Sequence, residues 1–202
     1  REFINEEDEF PSVQCFNSAI DFLNLNKNAN DWFLQIETFD PHEPFFAPER
    51  LKEKFKTNYK GPILDWPRYN RVTEDQEHID EIRANYMALL SLCDELLGKL
   101  LDYFDEHNLW KDTALIVGTD HGFLLGEHDW WAKNRMPLYE EISHIPLFFY
   151  HPNYSSKAGQ RRKSLTQTID LMPTFLDLYG APIPKEVHGH SLVPLLEEDT
   201  SL

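Results

Sequence analysis

Apolar positions along this chain follow two rhythms. The longer one runs through Ile79, Ile82, Tyr86, Leu89, Cys93, Leu97, Leu100 and Phe104, three or four residues apart with charges between them. That spacing predicts one long amphipathic helix, with Asn108 as its C-terminal stop. A second helix is predicted over 13–25, where Val13, Phe16, Ile20 and Leu23 share a face and Ser12 stands at the capping position. A third covers 168–179, with Pro173 near its start, Gly180 just past its end and Pro182 beyond. The shorter rhythm is the continuous apolar run. Residues 32–39, 113–119 and 145–150 each read as a buried strand closed by a polar or proline-containing turn. Between these lie an acidic opening, a polar break over 24–31, one short helix within FFAPERLKEKF, and loop sequence at YKGPILDWPRYN and 154–163. A long helix feeding a strand is α/β order. No repeat, low-complexity tract or linker interrupts the chain.

Composition narrows what this α/β chain does. With 202 residues, 41% hydrophobic and 13% aromatic, it is long and apolar enough for a packed core. A formal charge of −16 argues against a nucleic-acid backbone as partner, and the densest basic patch, Arg161–Ser164, is short. No apolar run approaches the length of a membrane span. The two cysteines, Cys15 and Cys93, lack metal-binding spacing; one disulfide is open to them, but they read better as buried apolar positions. The sequence starts at Arg1 without a signal-peptide pattern, so its natural start is expected upstream and its compartment is not legible.

Chemistry gathers where the strands end. Open α/β sheets bind ligands beyond the carboxyl ends of their strands. The 113–119 run stops at Asp120-His121-Gly122, followed by His128, Trp130, Trp131 and Lys133. Asp120 and His121 converge only if the chain turns, which Gly122 permits. The 32–39 run ends in Asp40-Pro41-His42-Glu43-Pro44, where two prolines are expected to hold His42 on an extended, stiff loop. Each feature has a plainer reading: an exposed turn, a surface histidine, a solvated lysine, a Trp pair that packs. His144 and His151 are read as structural, Asp94 as a buried anchor on the long helix, and Asp170 as a helix cap.

Taken in order, these stretches carry a family resemblance. TDHGFLLGEHDWWAK with YEE and HIPLFFYHP, preceded by FLQIETFDPHEPF and followed by QTIDLMPTFLDLYGAPIP and HGHSLVPLL, resembles the sulfatases of the alkaline-phosphatase-like superfamily over roughly residues 12–196. The resemblance implies part of an alkaline-phosphatase-like α/β sandwich, a mainly parallel or mixed sheet flanked by helices, with residues 1–202 as one partial catalytic domain. It implies a sulfuric ester hydrolase acting on a small organic or carbohydrate sulfate. Asp120 and His121 would hold a divalent cation, calcium first, with magnesium, manganese and zinc as alternatives. An imidazole nitrogen beside a carboxylate is less calcium-like than two oxygens. Lys133 would bind the sulfate, and His42 would contact it and protonate the leaving alcohol. His128 and Trp130 are candidate substrate contacts.

The family's nucleophile, a Cys or Ser in C/S-x-P/A-x-R that becomes formylglycine, matches neither CFNSA nor CDELL nor any serine here. Its first metal aspartates are missing too. The resemblance therefore implies a middle-to-C-terminal fragment, inactive alone, whose formylglycine lies on another segment. Two rivals remain. His121 keeps open a phosphonate monoester or phosphodiester hydrolase on the same scaffold, and a non-catalytic module is the reading from another class.

Overall fold

A computed structural model describes residues 4–200, and contacts group them into two units. The first comprises the chain up to His107 with Phe123–Ser143; the second comprises Asn108–Gly122 with His144 onward. No change of composition marks the division, because the chain leaves and re-enters each unit within regular-looking sequence.

The first unit is built on the long helix α3, Gln76–Glu106. Asp75 caps it by accepting from the His78 backbone N–H, and Asn108, at φ 55 and ψ 37, takes the left-handed step that ends it. Ile82, Leu89, Leu92, Leu96 and Leu100 are buried along one stripe. The stripe departs from the predicted one in mid-helix, where Leu92 and Leu96 turn inward and Cys93 and Leu97 are only half-buried. Even so, burial pushes the Cys93 thiol up to about 12, and both cysteines are free. Asp94 is exposed and anchors nothing in the core.

Helix α1, Pro11–Leu25, and the short α2, Glu49–Lys52, pack on α3. Helix α1 starts two residues earlier than its capping signal suggested, with Pro11 in the first turn; Ser12 is buried and donates to Asp40 instead of capping. Arg50 on α2 forks onto two carboxylates, those of Glu7 and Glu95, with its closest contacts at 2.6 Å. The 32–39 segment is extended but forms no strand among the described residues, and its exposure alternates residue by residue. Its apolar run is real; the ladder partners that would bury both faces are not. A hairpin of β2, Leu124–Leu125, and β3, Trp131–Ala132, completes the unit with the one-turn helix α4, Glu140–Ser143.

The second unit pairs β1, Leu115–Gly118, with β4, Leu147–Tyr150, in register Leu115↔Tyr150 to Gly118↔Leu147. Both ladders are antiparallel, where parallel or mixed pairing was predicted, and β1 is half-buried because one partner covers one edge. Helix α5, Leu171–Leu178, ends as predicted at Gly180, φ 64. A 3-10 turn over Thr168–Asp170 precedes it. Asp170 is buried and does not cap α5; its carboxylate accepts from the backbone of Gln167 and of His190. That contact brings the His190 loop against α5 ahead of helix α6, Val193–Glu197. Gly189 fits there because an added Cβ would lie 2.2 Å from the Ile169 carbonyl. His151 is structural, capping the following 3-10 turn at Asn153. Among the described residues no helix is long and apolar enough to cross a membrane.

Candidate active site

In the first unit, a backbone segment at 69–72 holds two catalytic candidates at once. Asn70 accepts from the Trp131 backbone, Val72 donates to Asp129, and Arg71 bridges to Trp130. Upstream, the Tyr69 hydroxyl donates to the Glu43 carboxylate beside His42. Burial first, and then that bond, push the Tyr69 hydroxyl up to about 12, so it stays a donor.

The 126–134 loop is made by left-handed residues. Gly126 turns the chain at φ 103, and His128, Asp129, Ala132 and Asn134 follow at 56, 59, 70 and 78. Positive φ at four non-glycine residues in a row of seven is costly and needs tertiary contacts to hold it. They are present. Gly126 and Trp130 exchange a backbone bond, Leu125 donates to Glu127, and Arg83 of α3 donates to the Leu125 carbonyl at 2.8 Å. Trp131 is fully buried and its indole donates to Glu74 at 2.8 Å. Burial alone would raise the Glu74 carboxyl, but hydrogen bonds from Thr73, Trp131 and Arg68 outweigh it and hold it at about 2.

The product of this loop is Lys133, 7% exposed. An ammonium is seldom placed so deep without a counter-charge or a ligand to meet. Trp131 is core, as the packing reading of the Trp pair expects. Trp130 keeps a half-exposed ring, with the Arg71 guanidinium 4.5 Å from its centre. His128 stacks on Tyr139 at 3.9 Å and faces the Glu141 carboxylate at 3.1 Å.

His42 lies in a turn rather than an extended loop, its backbone N–H bonded to the Phe39 carbonyl. Its ring packs on Phe39 at 4.2 Å. Nδ1 meets the Glu43 carbonyl at 2.7 Å, and because a carbonyl only accepts, Nδ1 carries the proton. Nε2 is then the nitrogen left for a substrate.

In the second unit, the chain bends at Asp120, directly after β1. Gly122 is not at positive φ, so the glycine is not what makes this turn. Asp120 accepts from the His121 backbone at 2.9 Å, and His121 Nδ1 meets the Gly122 carbonyl at 2.9 Å. The same logic puts the proton on Nδ1 and a lone pair on Nε2, the arrangement in which a backbone carbonyl orients a metal-binding imidazole. Nε2 lies 3.4 Å from Asp120 Oδ2. Two donors that far apart fit one cation with bonds of about 2.0–2.4 Å, so the pair suits a divalent metal. No group of three or more His, Cys, Asp or Glu converges among the described residues, so the chain offers two such ligands at this place.

Glu43, Tyr69, Glu74 and Arg71 escaped the sequence reading. Glu43 alone had a local signal, its place inside Pro-His-Glu-Pro.

Known proteins resemble this chain in family and in fold. The family described as Sulfatase matches residues 3–181. An N-acetylglucosamine-6-O-sulfatase of Bacteroides thetaiotaomicron is 33% identical over 75% of this chain and 25% of its own length. A multifunctional alkaline phosphatase superfamily protein, PehA, of Trinickia caryophylli is 36% identical over 85% of this chain and 38% of its own. The chain thus spans between a quarter and two fifths of these relatives. Among solved structures, a phosphonate monoester hydrolase of Silicibacter pomeroyi superposes with a TM-score of 0.78 at 24% identity, covering 98% of this chain and 43% of that one. Its fold is the alkaline-phosphatase-like α/β class predicted above. A structure in complex with its substrate D-glucosamine-2-N,6-O-disulfate gives a TM-score of 0.56 at 33% identity over 61% of this chain and 24% of that one.

Proposed function

This chain belongs to the sulfatase family, and from that premise we propose that the protein is a metal-dependent sulfuric ester hydrolase acting on a small or carbohydrate sulfate. Residues 1–202 contribute to one catalytic domain in this reading. The observation that carries it is the Asp120–His121 pair, whose Oδ2 and Nε2 stand 3.4 Å apart with the imidazole proton already committed to Gly122. A divalent cation held there, calcium before magnesium, manganese or zinc, would withdraw charge from the sulfate oxygens.

The remaining work falls to side chains. Lys133 offers its ammonium to the sulfate in a site shielded from water, where a charge counts for most. His42 presents Nε2 to the leaving oxygen and gives it a proton as the sulfur–oxygen bond breaks, while Nδ1 stays bonded to Glu43. His128 and Trp130 flank the alcohol, their rings held by Tyr139 and Arg71. In this reading the nucleophile is the family's formylglycine; these 202 residues hold no C/S-x-P/A-x-R motif. A sugar sulfate is supported by the 33% identity with an N-acetylglucosamine-6-O-sulfatase.

The second reading, a phosphonate monoester or phosphodiester hydrolase, draws on the nitrogen donor of His121 and on the likeness to PehA. In the full-length protein that carries the formylglycine, turnover of nitrophenyl sulfate, glucosamine 6-sulfate and a phenyl phosphonate monoester, with and without divalent cations, separates the two. Sulfate turnover that requires a cation, and falls about 10²–10³-fold in Lys133→Ala, is expected. Faster phosphonate than sulfate cleavage would favour the second reading. Absence of cation-dependent turnover on all three would end both.

A further inference from the structure

Glu43 is fully buried, and the site as described makes no use of its carboxylate. One oxygen accepts from the Tyr69 hydroxyl. The other accepts no aligned hydrogen bond among the described residues, yet lies 3.2 Å from His42 Nδ1. Removing a carboxylate from water costs several kcal/mol, and a half-satisfied one is worse than an apolar side chain of the same size. A proline or small residue would make this turn without that cost. The charge is therefore better understood by what it faces, the protonated edge of an imidazole.

We propose that Glu43 is a positioning residue for His42, which together with Tyr69 forms a relay that fixes the proton on Nδ1 and leaves Nε2 to exchange with the leaving oxygen. The inference rests on the sulfatase reading for its reaction, and on the geometry alone for its tautomer. In the step itself the formylglycine oxygen bonds to sulfur as the ester sulfur–oxygen bond breaks, the electron pair of the broken bond stays on the alcohol oxygen, and the Nε2 proton moves to that oxygen. Nδ1–H stays in place throughout. Before transfer the ring is an imidazolium opposite the Glu43 carboxylate; afterwards it is neutral with its acceptor lone pair at Nε2. Tyr69 sets the polarity of the relay. Because its hydroxyl donates, the atom of residue 43 that meets it must be an acceptor.

That last point makes the test sharp. In Glu43→Gln the amide oxygen must face Tyr69, so the amide NH₂ faces His42 and opposes a proton on Nδ1. Glu43→Gln should lower kcat on glucosamine 6-sulfate, whose alkoxide needs a proton, by at least about tenfold, part of the 10²–10⁴-fold that general-acid help supplies. The loss on nitrophenyl sulfate, whose leaving group departs as a stable anion, should be much smaller. Adding Tyr69→Phe lets the amide rotate and present its oxygen to His42, so the double variant should recover part of the loss. Equal losses on both esters, or no recovery, would overturn the relay. Imidazole ¹⁵N shifts of His42 in the unmutated protein provide a reading that needs neither turnover nor a folded variant. At alkaline pH, where the ring is neutral, its proton is expected on Nδ1, and a proton on Nε2 there would overturn the proposal even if sulfate hydrolysis is confirmed. An Nδ1–H ring in a protein that cleaves no sulfate would keep the relay and discard the reaction.

Discussion

Lys133 and Asp120 both follow short strands, but the turns that present them are built in opposite ways. The Lys133 loop is held from outside itself. Asn70, Val72, Glu74 and Arg83 reach it from other elements, and Trp131 and Ala132 at its base are fully buried. The bonds described at the Asp120 bend join neighbours in sequence, and the Asp120 side chain is 80% exposed. One turn is preorganised by the core, and the other holds its carboxylate out to solvent. A side chain that meets a soft anion in the ground state and the transition state gains from being rigid beforehand. A metal ligand does not need it, since the cation fixes its donors on binding. Mutations should therefore separate function from stability at Asp120 and entangle them around Lys133.

The largest separation is expected at Asp120→Ala. Turnover should fall about 10³-fold or more because half of the proposed cation pair is gone, while the melting temperature of the cation-free protein hardly moves. A melting temperature that drops with activity would show that the bend is structural after all. Next comes Trp131→Ala, expected to cost about 3–5 kcal/mol in chemical denaturation and to remove activity through the fold.

Glu74 gives a pH handle on the same loop. Its folded value, about 2, lies below its ordinary 4.5, and its side chain is 17% exposed. A depressed carboxyl adds stability that is present above about 4.5 and is lost as pH falls towards about 2, some 3 kcal/mol in all. Glu74→Gln should flatten that part of the stability–pH curve, and an unchanged curve would clear Glu74 of the role. The smallest effect is expected at His128→Asn. Asparagine tolerates the left-handed backbone, and the pair with Glu141 is solvent-exposed, so the melting temperature should stay within replicate scatter. Any change should appear in KM.

Much of this was legible along the chain. The three- and four-residue spacing located α3 and α5, and Asn108 and Gly180 marked their ends, because helix periodicity and left-handed stops are local signals. His42, Lys133, Asp120 and His121 could be singled out because they sit in short stretches with fixed spacing. Contacts across long separations were not legible. Nothing near Tyr69 announces Glu43, twenty-six residues away, and nothing near Glu74 announces Trp131. Ser12 shows the limit within a single turn: it has the right chemistry for a cap, but Asp40 claims its hydroxyl. The 32–39 run shows the converse, since an apolar stretch reports willingness to be a strand and not whether a ladder stands beside it.

Ala132 has a consequence for how this sequence can change. Its backbone is left-handed, φ 70, and its methyl has no exposure at all. The backbone favours glycine, at a penalty of about 1–2 kcal/mol for anything with a Cβ. The packing admits a methyl and leaves no room for more. Glycine relaxes the first demand and opens a small void under the second; every larger residue fails both. The position immediately before Lys133 is thus written in an alphabet of two letters. Neutral drift through this stretch has to pass around it, and a saturation library here should return alanine, glycine and little else.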